Sequence, residues 1–343
     1  MQNGVVTRVL NDYWLSEKKE VTLPGAIVQL PTLLDKDEMD IKEFAIKQGI
    51  DIVSVSFCRK ADDIQVVRDL LNSGIEEVVK PIKVFAKIEN QEGLNNFEEI
   101  LLASDGVIIN RTKLGMEIAP EKALIAQKWM VQTANLHAKP VVCMSQVLES
   151  MVECERPTDR ETSEISTCIL DGADCIMLGD ETAVGNYVAE AIRMLSKSCA
   201  EAERCIDYKT LYNDIKLYSN APLGTAEAIA SAAVQTVLDL SIDLVIVITD
   251  TGSLARLVSK YKPPVPILAC SVNQGVIRNL QTTRGVWGYK IPSYQGSDNL
   301  IAQVIKVAKE NNMAKPGHKV VCIHGTNEDT PDESNIMKIV DVE

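Results

Sequence analysis

The stretch GVIINRTKLG, which spans Gly106 to Gly115, carries an apolar strand directly into two cationic side chains, Arg111 and Lys113. Similar short apolar runs recur before and after it, each followed by a polar segment and a longer pattern of helical period. The runs of this first series are residues 51–57, 84–87, 106–109, 140–143 and 174–178. Such alternation is typical of parallel strands joined by crossover helices, so the sequence predicts the α/β class.

A second series of apolar runs follows towards the C-terminus, at residues 244–248, 266–269, 285–289 and 320–323. A helical pattern over residues 190–203 closes the first series, and an alanine-rich helix is predicted over residues 224–240. Residues 208–222 between them have weak periodicity and are predicted to form a connector. We therefore predict a domain boundary near residue 220.

Composition and charge exclude several classes of protein. The 343 residues include 46% hydrophobic and 24% charged side chains, as in an ordinary soluble globular protein. The formal net charge of -13 disfavours nucleic-acid binding, and an anionic substrate would need local positive charge or a metal. The N-terminal residues lack the apolar core of a signal peptide, and no apolar run has membrane-spanning length, so we expect a cytoplasmic protein. The nine cysteines and three histidines form neither a zinc-binding spacing nor a catalytic cluster.

If the first series of strands closes into a barrel, functional side chains should gather just after the strands, at their carboxyl ends. The residues at those positions are Arg59, Lys87, Glu89, Arg111, Lys113, Ser145 and Glu181. Lys87 and Glu89 lie two residues apart, so both side chains can point to the same side. The pair could be a metal ligand beside a lysine that neutralises a phosphate, or a simple ion pair that closes the top of the barrel.

A series of motifs, taken in chain order, is more specific than any single motif. The motifs are VTLPG (Val21–Gly25), SFCRK (Ser56–Lys60), KIENQEG (Lys87–Gly93), LGMEI (Leu114–Ile118), QVLESM (Gln146–Met151), RPT (Arg156–Thr158) and LDGADC (Leu170–Cys175). In this order they resemble the pyruvate kinase family over nearly the whole chain. The resemblance implies phosphoryl transfer from phosphoenolpyruvate to ADP with Mg2+ and K+, on a TIM-type barrel with a lid domain and a C-terminal α/β domain.

The resemblance also assigns roles to individual residues. Lys87 matches the family's lysine beside the transferred phosphoryl group, and Glu89 matches one of its two carboxylates that bind the divalent metal. Arg111 matches the arginine ahead of the family's glycine–aspartate pair, and Ser145 stands where the family has a threonine near the enolate carbon. The predicted catalytic residues are thus Lys87 and Ser145, and the predicted substrate-binding residues are Arg111, Thr112, Lys113 and Ser145.

Two departures from the family pattern affect this site. Lys113 holds the position of the second metal-binding carboxylate, and Thr112 stands where the family has glycine. Mg2+ prefers hard oxygen ligands, which an ammonium group cannot supply, so we expect weakened Mg2+ binding. The Cβ of Thr112 crowds a place where a glycine lets the backbone approach the substrate.

The number of strands departs from the family pattern as well. A barrel of this kind has eight strands, and only about five are readable in this sequence. Residues 1–22 resemble the end of the lid domain, residues 23–219 a partial barrel, and residues 220–343 the C-terminal domain, which is expected to be a doubly wound α/β domain. An open barrel would expose strand edges and apolar surface. We therefore expect a fragment, a shortened gene, or a chain whose barrel is covered by a partner or by another copy in a homo-oligomer.

One loop of the C-terminal segment matches the loop that binds a sugar-phosphate effector in regulated members of the family. The matching residues are Thr249, Thr251, Gly252 and Ser253. A glycine-containing loop that opens a helix can bind phosphate through its backbone N–H groups. Asp250 adds a negative charge to this loop, however, and residues 324–329 are acidic, so we favour a packing loop without an effector.

Three functional hypotheses follow from these observations. The first is a pyruvate kinase-like phosphotransferase. The second is a non-catalytic homologue that acts as a binding or regulatory subunit. This hypothesis is favoured by Lys113, by Thr112 and by the barrel strands of the family pattern that are not found in this sequence. The third is a Schiff-base enzyme that uses Lys87 or Lys113 on a carbonyl substrate. No other motif in the sequence supports this hypothesis.

Overall fold

The computed structural model describes residues 4, 6–17, 19, 21–73, 82–144, 147–327 and 330–343, except for the side chains of residues 334 and 335. The strands are β1 (Ile52–Val55), β2 (Lys83–Ile88), β3 (Gly106–Asn110), β4 (Val141–Met144), β5 (Cys175–Met177), β6 (Leu244–Ile248), β7 (Ile267–Ser271), β8 (Val286–Lys290), β9 (Lys319–Gly325) and β10 (Ser334–Asp341). The α-helices are α1 (Asp35–Asp40), α2 (Ala61–Ser73), α3 (Gln91–Asn95), α4 (Phe97–Ala103), α5 (Arg111–Glu117), α6 (Pro120–Leu136), α7 (Asp159–Asp171), α8 (Asp180–Ala183), α9 (Val188–Arg204), α10 (Tyr208–Tyr218), α11 (Thr225–Leu240), α12 (Ser253–Lys260), α13 (Gln274–Asn279) and α14 (Ser297–Glu310). In this described part of the chain, no helix combines the length and the apolar character that a bilayer crossing requires.

Strands β1 to β5 form one parallel sheet in chain order, β1-β2-β3-β4-β5. The connections between consecutive strands pass through α2, α4, α6 and α7 in turn, which is the repeating unit of a TIM-type barrel. Within the described residues, β1 and β5 each pair on one side only, so the sheet is an open arc. The predicted α/β class, with about five barrel strands, is confirmed.

Alternate side chains of this sheet enter two different cores, because successive side chains of a strand point to opposite faces. Val84 and Ile88 of β2 belong to the larger core, which also contains buried residues of α2, α4 and α6. Phe85, which lies between them in sequence, belongs to a smaller core on the concave face, together with Ile108 and Val142. The sheet is therefore packed on both faces.

An aromatic ring covers the centre of the concave face. A Cβ at Gly106 would lie 2.6 Å from the ring of Phe85, so only glycine allows this ring to lie against β3. Phe85, Ile108 and Val142 are 3%, 1% and 5% exposed. The apolar surface expected of an open barrel is not found at these three central positions. It is found at the edge strand β5, where Met177 is 36% exposed.

Strands β6 to β10 form a second sheet in the order β10-β9-β6-β7-β8. The strands β6 to β9 are parallel, and β10 runs antiparallel to β9 at the edge. All five residues of β6 are buried, and their side chains alternate between two cores. Val245 and Val247 enter one core, and Leu244, Ile246 and Ile248 enter the other. The predicted doubly wound C-terminal domain is confirmed.

Two elements differ from the sequence prediction. Strand β10 had no predicted counterpart, and the predicted connector at residues 208–222 contains the helix α10. The side chain of Asp207 begins this helix by accepting a hydrogen bond from the N–H of Thr210 at 3.1 Å. Tyr212 and Ile215 then pack into the C-terminal core. Tertiary packing of this kind stabilises a short helix whose own periodicity is weak.

A buried ion pair joins the two sheets. The ammonium group of Lys262 donates to Oδ1 of Asp174 and to the carbonyl oxygen of Gly172, each at 3.1 Å. The side chains of Lys262 and Asp174 are 3% and 5% exposed. The backbone N–H of Arg284 also donates to Asp174, at 3.2 Å. Burial lowers the pKa of Lys262 and Asp174 opposes that change, so the pair depends on close contact between both partners.

The substitution Asp174→Asn should lower the free energy of unfolding by about 3 kcal/mol, because it leaves the buried ammonium of Lys262 without its counter-charge. Urea unfolding followed by circular dichroism measures this loss. The matched control is Asp298→Asn, which breaks an ion pair with Lys338 but removes a side chain that is 85% exposed. The control should cost much less than Asp174→Asn, because its charge stays in contact with water, and equal losses in the two variants would contradict a structural role for the buried pair.

Candidate functional site at the carboxyl ends of the barrel strands

A cavity of about 870 Å³ lies at the carboxyl ends of β1, β2 and β3. Its polar lining includes Ser56, Arg59, Glu89, Asn90 and Lys113. Residues of the extended segment 21–32 complete its wall. Arg59 ties this segment to the sheet, because its guanidinium donates to the carbonyl oxygen of Val28 and pairs with Asp63 at 3.4 Å. The cavity therefore lies where a TIM-type barrel places its chemistry.

The carboxylate of Glu89 forms the centre of the site, and its side chain is 0% exposed. Oε2 accepts a hydrogen bond from the backbone N–H of Phe57 at 2.8 Å, and Oε1 accepts one from Nδ2 of Asn110 at 2.8 Å. The ammonium groups of Lys87 and Lys113 lie 3.3 Å and 3.6 Å from Oε1. One buried carboxylate thus connects the ends of three neighbouring strands.

Local structure at each strand end positions these groups. Phe57 follows β1 with a φ of 53°, in the left-handed region that non-glycine residues rarely adopt, and in this conformation its N–H reaches Glu89. Asn110 ends β3 and begins α5, where its Oδ1 accepts the backbone N–H of Lys113 at 3.3 Å. The first turn of α5 therefore brings Lys113 back towards the end of β2. Lys87 is also held by Oγ of Ser56, at 3.3 Å.

The electrostatics of the site favour the ionised form of Glu89. Burial raises its pKa, but Lys87, the hydrogen bonds from Phe57 and Asn110, and Lys113 outweigh burial, so the pKa lies below its ordinary value of 4.5. Two ammonium groups then face one carboxylate, so the immediate surroundings of Glu89 carry an excess of positive charge, although Glu92 and Glu117 also line the cavity. At Glu89 itself, such an excess favours the binding of an anion over the binding of a cation.

The residues present at Glu89 do not fit a divalent cation. Mg2+ requires an octahedral set of hard oxygen ligands at about 2.0–2.1 Å. Both oxygens of Glu89 already accept hydrogen bonds, and the side chain of Lys113 offers an ammonium group in place of an oxygen. Over the described ranges, no group of three or more His, Cys, Asp or Glu side chains is arranged to hold a metal ion.

Of the remaining predicted site residues of the barrel, the structure describes Arg111, Thr112 and Glu181. Arg111 is 8% exposed and forms an ion pair with Glu164 of α7. Thr112, in the first turn of α5, has a buried hydroxyl that forms no hydrogen bond with the described residues. Glu181 accepts a backbone N–H at 2.6 Å and closes the turn at the start of α8. Ser145 lies outside the residues that the structure describes.

The structure brings Lys87, Glu89 and Lys113 together, and it adds two residues that had no predicted role. Asn110 is one of them, and it lies two residues beyond Ile108 on the same face of β3, so strand alternation alone could have identified it. Phe57 is the other. It contributes only its backbone N–H, for which the amino-acid sequence carries no signal.

The loop before α12 holds the carboxylate of Asp332. This carboxylate accepts hydrogen bonds from the hydroxyl groups of Thr249 and Thr251 and from the backbone N–H groups of Asp250 and Thr251, the last at 2.8 Å. Gly252 permits the turn, because its φ is 79°. The anion that this loop binds is therefore a side chain of the chain itself. Residues 328 and 329, part of the predicted acidic segment, lie outside the described residues.

The contribution of Glu89 to stability should depend on pH. Because its folded pKa lies below 4.5, its contribution is present above about pH 4.5 and is lost as pH falls towards the folded pKa. Replacement of Glu89 by Gln should lower the free energy of unfolding by about 1–3 kcal/mol at pH 7. In urea titrations below pH 4.5, the free energies of unfolding of the variant and of the unsubstituted protein should become more similar. Glu43→Gln, at a side chain that is 61% exposed, is the control and should cost less than about 0.5 kcal/mol. A difference that stays constant from pH 7 to pH 3.5 would contradict this assignment.

Removal of the Asp332 carboxylate should leave the loop before α12 without its acceptor. Asp332→Ala is expected to lower the free energy of unfolding by about 1–3 kcal/mol, since backbone N–H groups and hydroxyls lose their partner. Hydrogen exchange at Asp250 and Thr251 should also become faster. Asp341→Ala, at a side chain that is 77% exposed, serves as the control and should cost less than about 1 kcal/mol. Unchanged exchange in the Asp332 variant would show that these hydrogen bonds do not hold the loop.

Two family profiles match the chain. The profile described as "Pyruvate kinase, barrel domain" matches residues 1–192, and the profile described as "Pyruvate kinase, alpha/beta domain" matches residues 227–340. Together they cover the open arc of parallel strands and the doubly wound sheet.

Individual relatives and a solved structure agree with these profiles. The pyruvate kinase of Eimeria tenella is 41% identical over 339 residues, which cover 99% of this chain and 63% of that protein. The pyruvate kinase of Dictyostelium discoideum is 43% identical over 341 residues, which cover 98% of this chain and 66% of that protein. The structure of Cryptosporidium parvum pyruvate kinase in complex with ADP superimposes with a TM-score of 0.87 at 41% identity, over 94% of this chain and 65% of that one. This chain thus spans somewhat less than two thirds of the length of these relatives, and it belongs to the pyruvate kinase family.

Proposed function

We propose that this chain is a pyruvate kinase-like phosphotransferase, which transfers the phosphoryl group of phosphoenolpyruvate to ADP in glycolysis and yields pyruvate and ATP. The convergence of Lys87 and Lys113 on the buried Glu89, beside the cavity, is the observation that carries this proposal. The relatives named pyruvate kinase and the related structure with bound ADP support the choice of both substrates.

The proposed roles follow from what phosphoryl transfer requires, which is chiefly positioning and neutralisation of charge. Lys87, held by Ser56 and Glu89, neutralises the transferred phosphoryl group. Lys113, which lines the cavity, contributes a second positive charge beside Glu89. We propose, from the matched family positions, that Arg111 and Thr112 belong to the substrate-binding corner and that Ser145 takes the role of the family's threonine near the enolate carbon. The family's Mg2+ and K+ would supply charge neutralisation, and we propose that Mg2+ binding at Glu89 is weakened by Lys113.

The remaining parts of the proposal concern organisation and location. We propose a domain boundary near residue 220, with residues 1–22 as the end of a lid domain, residues 23–219 as a partial barrel and residues 220–343 as the C-terminal domain. Association with another copy or with a partner would cover the edge strands β1 and β5, each of which has one described strand neighbour. We also propose that the reaction takes place in the cytoplasm, as a step of glycolysis.

A second candidate function is that of a non-catalytic homologue that binds the substrate or regulates a partner. The ion pair between Lys113 and Glu89 favours it, because this contact occupies a carboxylate that the family uses for its metal. The ion pair of Arg111 with Glu164 points in the same direction, since it engages a cation of the substrate corner. Both candidates predict that the chain binds phosphoenolpyruvate, but only the first predicts that it converts phosphoenolpyruvate to pyruvate.

Pyruvate formation from phosphoenolpyruvate and ADP, in the presence of Mg2+ and K+, tests the first candidate. The double substitution Thr112→Gly with Lys113→Asp should raise the Mg2+-dependent rate at least about tenfold, because it adds an oxygen ligand and removes a repulsive charge. Lys87→Met should lower the rate by about a hundredfold or more.

Lys319→Asp is the matched control for this assay. It makes the same change of charge at a side chain that is 52% exposed, in the C-terminal sheet, and should leave the rate unchanged. Absence of turnover in the unsubstituted and doubly substituted proteins, with phosphoenolpyruvate still bound in a calorimetric titration, would refute the first candidate and support the second.

A further inference from the structure

The charges around Glu89 balance without a metal. In the family pattern two carboxylates face a dication, and the sum of these charges is zero. In this chain Lys113 replaces one of the carboxylates, and its ammonium lies 3.6 Å from Oε1 of Glu89. One carboxylate and one ammonium group also sum to zero. Lys87, at 3.3 Å from the same oxygen, then provides a positive charge in excess, as it would beside a bound metal.

We propose that the ammonium group of Lys113 takes the place of the divalent cation at Glu89, so that this cavity binds a small carboxylate- or phosphate-bearing anion without a metal. Lys113 is in this view a built-in cation and a determinant of specificity. The inference rests on the proposed function for the identity of the anion as substrate. Its statement about the metal is independent of that function.

The position of this cation is fixed by one side-chain amide. Nδ2 of Asn110 donates to Glu89 at 2.8 Å, and Oδ1 of the same amide accepts the backbone N–H of Lys113 at 3.3 Å. Asn110 therefore holds both members of the ion pair, while the N–H of Phe57 holds the second oxygen of the carboxylate. The pair is ordered by its surroundings before any ligand arrives, which reduces the entropic cost of binding.

The ion pair is accessible from the cavity. The side chain of Lys113 is 31% exposed and lines the cavity, and the side chain of Lys87 is 17% exposed. The side chain of Glu89 is fully covered, so an incoming anion meets the ammonium group of Lys113, which lines the cavity, before it meets the carboxylate. A divalent cation, in contrast, would have to approach Glu89 past two like charges.

Titration of Mn2+, followed by the electron paramagnetic resonance signal of the free ion, tests the statement about the metal. Lys113→Asp should create a Mn2+ site at least about tenfold tighter than any site of the unsubstituted chain, since a second carboxylate then faces Glu89. Lys290→Asp makes the same change of charge at an exposed side chain of β8, in the C-terminal sheet, and should create no such site. Addition of Glu89→Gln to Lys113→Asp should abolish the gain.

Two results of the Mn2+ titration would overturn the proposal. One is a Mn2+ site in the unsubstituted chain that Glu89→Gln removes. The other is a gain in Lys113→Asp that is no larger than the gain in Lys290→Asp. Neither result depends on turnover, so a protein without pyruvate kinase activity still tests the inference, and loss of activity alone refutes only the proposed function.

Calorimetric titration of oxalate, a small dicarboxylate, tests the statement about the anion. Its affinity for the unsubstituted chain should be the same within about twofold in EDTA and in Mg2+. Lys113→Gln, which keeps a polar side chain and removes its charge, should weaken binding in EDTA at least about fivefold. Lys319→Gln should not change it. Oxalate binding that requires Mg2+, or no oxalate binding in either buffer, would overturn the proposal. Thermal unfolding of each variant checks that it is folded.

Discussion

A carboxylate that is wholly shielded from water needs positive charge and hydrogen-bond donors around it. The free-energy cost of removing an ion from water is larger than the stabilisation that any single contact provides. Glu89 is such a carboxylate, and its partners come from the ends of three strands. Phe57 follows β1, Lys87 belongs to β2, and Asn110 ends β3. The need to satisfy one charge thus ties together the part of the open arc where functional side chains gather. Any change at Glu89 acts on all three strand ends at once.

The same constraint explains why two ion-binding features among the described residues, one for a cation and one for an anion, are satisfied internally. At Glu89, the position that would face a metal is held by the ammonium of Lys113. At the loop before α12, the backbone N–H and hydroxyl groups that could hold a phosphate are occupied by the carboxylate of Asp332. In each place a charged side chain of the chain stands where a diffusible ion would otherwise bind. A metal ion at Glu89, or an anion at the loop, must compete with a tethered group, whose effective concentration is high.

Apolar periodicity was enough to predict both series of strands, because buried strands at the centre of a parallel sheet are continuous apolar runs such as Leu244–Ile248. Periodicity failed at β10, an antiparallel edge strand, and at α10, which tertiary contacts of Tyr212 stabilise. Strand-end spacing correctly brought Lys87 and Glu89 together. It did not reveal that Arg111 pairs with Glu164, or that Asp332 reaches the loop at Thr249, because both contacts join residues distant in sequence. Spacing along one element carries no information about such partners.

The register between β2 and β3 connects the packing of the sheet to its chemistry. Phe85 pairs with Gly106, and its ring can lie there only because glycine has no Cβ. The glycine therefore favours this register over registers that place the ring against another residue. The same register sets Lys87 beside Ile108, and side chains two residues further along each strand, Glu89 and Asn110, then meet above an apolar layer. A slip of one residue would turn Lys87 into the helix-facing core and separate the amide of Asn110 from the carboxylate. The apolar layer beneath also keeps water from the floor of the site, which strengthens the attraction between Glu89 and its two lysines. The placement of charge in this chain therefore depends on a strand residue that has no side chain.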